Sequence, residues 1–296
     1  MNVSQTGQII DGKAIAARVR ETVAVRTAAL VQAGARVSLD AVIVGANQAG
    51  RVYADNQARM CAEVGIDYRL HELPAETTQG DLDKIIDTLN ADPVVTAIMV
   101  HLPLPEGVNT EHVQARIESS KDVEGVNPAN IGNVIYGRRS LVPCTALATM
   151  TLIESTGIDL AGKRVVCVGA SNIVGKPVAV LLMRAEATVV STNIQTPDVP
   201  ALCREADVIV TAVGLPGLIR ADMVRSGAVV VDVGISRVKD TETGRMRTVG
   251  DVDFDAVRPV AGWISPVPGG VGPVTVAMLL RNTLDAAERA AGKSGD

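Results

Sequence analysis

Aromatic residues are nearly missing from this chain: one Phe, one Trp and three Tyr make up 2% of 296 residues. Cores without rings must be packed from Val, Ile, Leu and Ala, and that β-branched bias favours parallel strands covered on both faces. Cysteine is equally sparse. Cys61, Cys144, Cys167 and Cys203 are scattered without CxxC spacing, which excludes a disulfide framework and a thiolate zinc site and fits a reducing, cytoplasmic setting. No apolar run approaches the roughly 20 residues needed to cross a bilayer, and residues 1–10 lack the basic start and apolar core of a secretion signal. Excess positive charge is absent too. The net charge of −5 argues against a nucleic-acid partner, whose phosphates call for a basic face.

What is present is apolar material, 47% of the residues, enough for two cores at this length. Helical and extended patterns alternate along the chain. A helix is predicted from Gly12 to Val31 with Gly34 beyond it, then a strand at 41–44, a helix from Gly50 to Val64, a strand at 68–73 and a helix at 78–90. Thr78 and Asp81 have the spacing of a capping pair at the last of these. A strand at 96–100 runs into His101-Leu102-Pro103-Leu104-Pro105, where two prolines end ladder pairing. After a connecting stretch at 141–155, strands at 164–168, 188–191, 208–211 and 228–233 read as a small doubly wound sheet. The helix after Pro273 is expected to pack back on the first one, and the closing GKSGD reads as a frayed tail.

The stretch with the most chemistry in it is KRVVCVGASNIVGKP, Lys163 to Pro177. Val165 to Val168 form an unalternating apolar strand. Gly169 allows a sharp turn close to a ligand, Ser171 and Asn172 offer donors, and Gly175 permits tight packing at a helix N-terminus, where a pyrophosphate is favoured. Five residues separate the glycines, unlike GxGxxG, and a glycine turn in any α/β protein has the same appearance. Three other clusters stand out. Tyr53 and Gln57, four apart, share one helix face, which suits a cleft or an ordinary half-exposed surface. Lys121-Asp122-Val123-Glu124-Gly125 offers carboxylates to a heterocycle's N–H groups, or is a solvated turn. Pro266 to Thr275, PVPGGVGPVT, is a rigid backbone poor in side chains, able to lie against a flat ligand.

Taken with AVGLPG at 212–217, DVGI at 232–235 and GDVDF at 250–254, and with YADNQ, HLPLP, KDVEG and PCT in the same order, these motifs closely resemble the methylenetetrahydrofolate dehydrogenase/cyclohydrolase family over nearly the whole chain. The resemblance implies two α/β domains with a cleft between them, the second a Rossmann-like doubly wound parallel sheet. Residues 1–147 plus 270–296 would be the folate-binding catalytic domain and 148–269 the dinucleotide domain, in a homodimer. It implies that Tyr53 stacks on the folate and that Glu124 holds the pterin, with Val100, Leu102, Pro268, Gly269, Gly270, Val271 and Gly272 against the substrate. Gly169, Ala170, Ser171, Ile173, Gly175, Thr192, Gly214 and Ile235 would meet NAD or NADP; no metal is implied.

Against the family's pattern the chain has Gln57 for a lysine, His101 for a glutamine and Glu124 for an aspartate. An amide cannot carry a proton near neutrality, so the expectation is oxidation of 5,10-methylenetetrahydrofolate with weak or absent cyclohydrolase activity. Two other readings stay open: a bifunctional enzyme with His101 in the proton relay, and a folate- or nucleotide-binding protein without turnover. Where the enzyme is a dehydrogenase alone, His101 instead hydrogen-bonds Gln57 or Tyr53 and keeps the site in register. With Ala170 where many relatives carry arginine and no cation in Ser191-Thr192-Asn193, the cofactor expectation tips towards NAD.

Overall fold

The structure is a computed structural model that describes residues 7–45, 48–138, 140–239 and 244–292. Most of the tail expected at 292–296 lies outside those residues. In chain order the first half holds β1 (Gln8–Ile9), α1 (Gly12–Gln32), β2 (Ser38–Val44), α2 (Gln48–Glu63), β3 (Asp67–Leu73), α3 (Gln79–Ala91), β4 (Ile98–Val100), α4 (Thr110–Arg116), α5 (Pro128–Tyr136) and α6 (Cys144–Glu154). The second half holds β5 (Arg164–Val168), α7 (Gly175–Arg184), β6 (Thr188–Thr192), α8 (Val199–Arg204), β7 (Val208–Thr211) and β8 (Val229–Asp232). It continues with β9 (Ser236–Lys239), β10 (Met246–Val249), α9 (Phe254–Val257), β11 (Trp263–Ile264) and α10 (Val271–Ala290).

Two compact units result. The three-strand unit, Ala17–Cys144 with the chain from Ala277 onward, is built on the parallel sheet β3-β2-β4. Its middle strand β2 is buried throughout, so the two polar residues in it need partners. Asp40 finds them on β3, with Arg69 Nη2 at 3.1 Å and His71 Nε2 at 2.8 Å. The Ser38 N–H and the Thr96 hydroxyl form a reciprocal pair, Ser38 N donating to Thr96 Oγ1 at 2.8 Å and Thr96 Oγ1 to the Ser38 carbonyl at 2.7 Å. That side-chain pairing takes the place of ladder bonds, and it is why β4 begins at Ile98 rather than at the expected Thr96. Helix α3 starts on the expected capping box of Thr78 and Asp81 and buries Leu82, Ile86 and Leu89 at helical spacing against Val42, Val44, Ile98 and Val100. Arg26 of α1 pairs with Asp285 at 2.8 Å and Glu288 at 2.7 Å, so α10 does return to the first helix.

The six-strand unit holds the chain up to Ala16 and Thr145–Val276. Its parallel strands run β1-β11-β8-β7-β5-β6, with β5 hydrogen-bonded on both sides as its unbroken Val-rich run predicts. Core side chains include Val166, Val168, Ile209, Val230 and Ile264. Two boundaries differ from expectation: residues 270–276 group with this unit, and so do those ahead of Ala17. The residues before α1 do not belong with the three-strand unit: Gln8 N donates to the Gly262 carbonyl at 2.8 Å and Ile10 N to that of Ile264 at 2.9 Å, making β1 an edge strand of the larger sheet. The β9–β10 hairpin was also not anticipated.

Candidate active site and nucleotide turn

In the three-strand unit the chain leaves β4 through His101, whose N–H still donates to Val42 O at 2.8 Å, and turns at a cis Leu102–Pro103 bond. A cavity of about 360 Å³ opens there, lined among others by Tyr53 of α2, Met99 and Val100 of β4, His101, Leu102 and Glu124. Tyr53 is half-exposed and meets the His101 ring edge-on, centroids 5.7 Å apart at 88°. His101 is buried. Burial holds its imidazole below the usual 6.5, so it is neutral at pH 7, and its Nε2 lies 3.5 Å from the Tyr68 hydroxyl. Tyr68 gave no signal in sequence beyond its place on a strand neighbouring β2.

Glu124 reaches the cavity because its flanking residues are tied down. Lys121 Nζ donates to the carbonyls of Leu89, Asn90 and Asp92 at the end of α3. Asp122 is buried and closes its own turn, accepting from Gly125 N and from Asn127 N and Asn130 Nδ2. Asn282 of α10 clamps the next residue, donating to Val123 O at 2.8 Å and Val142 O at 2.9 Å. The charged run is thus two structural residues and one that faces the cavity. With desolvation as the main cause and the neighbouring Asp122 charge second, the Glu124 carboxyl is pushed up to about 7.

Gln57 departs from expectation. It is 3% exposed and absent from the cavity lining; its Nε2 lies 3.0 Å from the Met99 thioether and its Oε1 has no partner. Four residues on from Tyr53, it has rotated under the floor that Met99 forms, because α2 packs that stripe on the sheet. His101 accordingly contacts Tyr53 and Tyr68 and not Gln57. Pro268 to Gly272 lie in the six-strand unit, while the cavity is lined by the three-strand unit alone. Their glycines have a packing reason: a Cβ on Gly12 would fall 1.9 Å from Gly270 O, and Gly269 sits at φ +111°.

In the six-strand unit Gly169 follows β5 at φ +104°, where a Cβ would lie 2.6 Å from Ala212 O. A Cβ on Gly175 would lie 2.0 Å from Gly169 O, so the turn and the start of α7 touch through backbone alone. Ser171 accepts rather than donates there: its Oγ takes the N–H groups of Val174 and Gly175 at 3.2 and 3.3 Å. Ala170, Ser171, Ile173, Gly214 and Ile235 all keep accessible surface around this turn. Thr192 does not. It is buried, and its hydroxyl donates to Cys167 O at 3.3 Å, so its side chain is spent within the sheet. A turn that only glycine can build, at the carboxyl end of a parallel strand and opening a ten-residue helix, fits a dinucleotide pyrophosphate. Among the described residues no cluster of His, Cys, Asp and Glu could hold a metal ion, and no helix is long and apolar enough to cross a membrane.

A doubly wound parallel sheet with that turn defines a dinucleotide-binding α/β protein of Rossmann-like type. Within that class the chain belongs to the tetrahydrofolate dehydrogenase/cyclohydrolase family, whose catalytic domain matches residues 10–124 and whose NAD(P)-binding domain matches 143–291. It is 49% identical over 282 residues to the bifunctional protein FolD of Moorella thermoacetica, covering 95% of this chain and 99% of that one. The crystal structure of the bifunctional enzyme FolD from Campylobacter jejuni is similar at a TM-score of 0.90 and 42% identity, over 95% and 99% of the two chains. That of the Trypanosoma brucei dehydrogenase-cyclohydrolase, complexed with NADP cofactor and inhibitor, gives 0.89 and 38%, over 96% and 98%. The bifunctional names of these relatives overturn the expectation that hydrolysis is weak or absent.

Proposed function

We propose that this protein oxidises 5,10-methylenetetrahydrofolate to the 5,10-methenyl form and then hydrolyses it, with His101 in the proton relay. The observation that carries the reading is one cavity lined by both His101, a buried imidazole held below its usual range, and Glu124, a carboxyl pushed up to about 7. When bound, the nicotinamide of NAD(P) supplies the hydride acceptor for the first reaction. Gly169, Ala170, Ser171 and Gly175 would hold its pyrophosphate end, with Ile173, Gly214 and Ile235 along its length. In the second reaction water adds to the methenyl carbon and must lose a proton. The neutral His101 imidazole can take it, and Glu124, its carboxyl pushed up to about 7, can return one to the departing nitrogen. Gln57 supports the floor below Met99 and moves no proton. Tyr53 offers its exposed ring to the folate's aromatic part.

The test is His101→Ala, assayed for methenyl decay and, separately, for methylene oxidation. Hydrolysis should fall by about 10²–10⁴ while oxidation is spared. Equal loss of both would reject the relay, and wild-type binding of folate without turnover would favour a purely binding protein. We propose NAD as the preferred nucleotide, since Ala170 and Ser191-Thr192-Asn193 offer no cation to a 2′-phosphate. The NADP named for the Trypanosoma brucei structure makes the parallel assay with both nucleotides decisive. A homodimer, implied by the resemblance, is testable by light scattering of the purified chain.

A further inference from the structure

Two motifs that the cavity does not use, DVG at 232–234 and GDV at 250–252, interlock in the six-strand unit. Asp232 closes β8. Its Oδ1 accepts from Gly234 N at 2.9 Å and Asp251 N at 3.0 Å, and its Oδ2 from Val252 N at 2.8 Å. Asp251 is fully buried: its Oδ2 accepts from the Thr211 hydroxyl at 2.8 Å and Val213 N at 2.7 Å, its Oδ1 from Leu215 N at 2.8 Å. A Cβ on Gly234 would fall 2.1 Å from Asp251 Oδ1, and one on Gly250 would fall 2.0 Å from Asp232 Oδ2. Each glycine is therefore the space that the other motif's carboxylate occupies.

What the pair pins is the loop after β7. With the N–H groups of Val213 and Leu215 drawn inward, their side chains stay 48% and 54% exposed, and Gly214 between them sits at φ +79° with open space around it. The Ser236 hydroxyl donates to Gly214 O at 3.0 Å, joining this loop to the neighbour of Ile235, itself 66% exposed. A Cβ on Gly169 would come within 3.2 Å of Val213 Cγ2, so the loop abuts the glycine turn. Exposed apolar side chains on an immobilised backbone, at the carboxyl edge of a parallel sheet, form a ready-made apolar lip for a flat ligand.

We propose that Asp251, itself oriented by Asp232, is a positioning residue for the dinucleotide: its carboxylate holds the 213–215 lip in the bound geometry before the ligand arrives. This rests on the nucleotide-binding reading above. A carboxamide of the same size at 251 must aim an N–H at one of three donors and so releases the lip.

The experiment measures dinucleotide Kd by calorimetry and dinucleotide KM in methylene oxidation for wild type, Asp251→Asn and the milder Thr211→Val, which deletes one donor to Asp251 at nearly constant volume. Asp251→Asn should raise both constants by about tenfold or more, with Thr211→Val in between, while methenyl hydrolysis, which uses no nucleotide, stays unchanged. Wild type that binds neither NAD nor NADP would remove the underlying reading. Wild type that binds, with folded variants binding equally well or losing hydrolysis in step, would overturn the positioning role. Should Asp251→Asn not fold, an unchanged Kd in Thr211→Val overturns it alone.

Discussion

Replacing Glu124 by Gln removes a carboxyl that the fold holds at about 7 instead of its ordinary 4.5. An acid whose native pKa lies above its unfolded one binds its proton more firmly when folded. Its contribution to stability is whole below about 4.5 and is lost as pH rises through 7. Above that, the native state carries a desolvated carboxylate with Asp122 as a neighbour, at a cost of about 3 kcal/mol from the rise itself. The amide has no such charge. Glu124→Gln should therefore match wild type within about 0.5 kcal/mol at pH 4.5 and exceed it by up to about 3 kcal/mol at pH 8.5. Urea denaturation at the two pH values measures this, and the chain supplies its own probes. Tyr53, Tyr68 and Tyr136 all lie in the three-strand unit and Trp263 in the six-strand unit, so the gain should appear in the tyrosine signal. Shifts at Asp232, pushed up to about 6 by burial, cancel between the two proteins. A stability difference that does not vary with pH, or a wild type that gains on the variant as pH rises, would refute the argument.

Other consequences are open to direct measurement. Gly175→Ala places a methyl 2.0 Å from Gly169 O, which should spread the glycine turn, lower the melting temperature and abolish dinucleotide binding seen by calorimetry. Asn282→Ala leaves the Val123 and Val142 carbonyls without their side-chain donor, at a cost of about 2–4 kcal/mol in denaturant titrations, with weaker folate binding because Glu124 loses its clamp. Lys121→Met strips three carbonyls at the end of α3 of one cation and should cost about 1–2 kcal/mol, without changing the pH profile of hydrolysis. Leu82→Ala, in a fully buried stripe, should cost about 2–5 kcal/mol by chemical denaturation.

Local chemistry was legible where it is local. The Thr78–Asp81 box, the Val-rich β5 and the glycine turn each rest on neighbours in sequence and each is present, although Ser171 accepts hydrogen bonds in the turn where a donor is expected. Long-range choices were not. Nothing in Gln8-Ile9 distinguishes one sheet edge from another, so neither β1 nor its pairing with β11 has a signal in the sequence. Tyr53 and Gln57 share a helical stripe, yet 54% exposure for one and 3% for the other depend on where Met99 lies across the sheet. Asn282 carried a faint signal, a polar residue on the buried stripe between Met278 and Ala286, but its targets are about 140 and 159 positions upstream. The two aspartates of DVG and GDV were recognised as motifs, while their mutual packing needed three dimensions.

The pairing of Gln8–Ile9 with Trp263–Ile264 sets a timetable on the ribosome. β1 must stay unmatched while some 250 more residues are added, a wait of the order of 10–50 s at translation rates of roughly 5–20 residues per second. The larger sheet therefore closes only after the smaller one has been synthesised in full. Gln8 and Ile9 are exposed to wrong neighbours during that interval, and brevity is their protection: a two-residue strand offers few hydrogen bonds to a foreign edge.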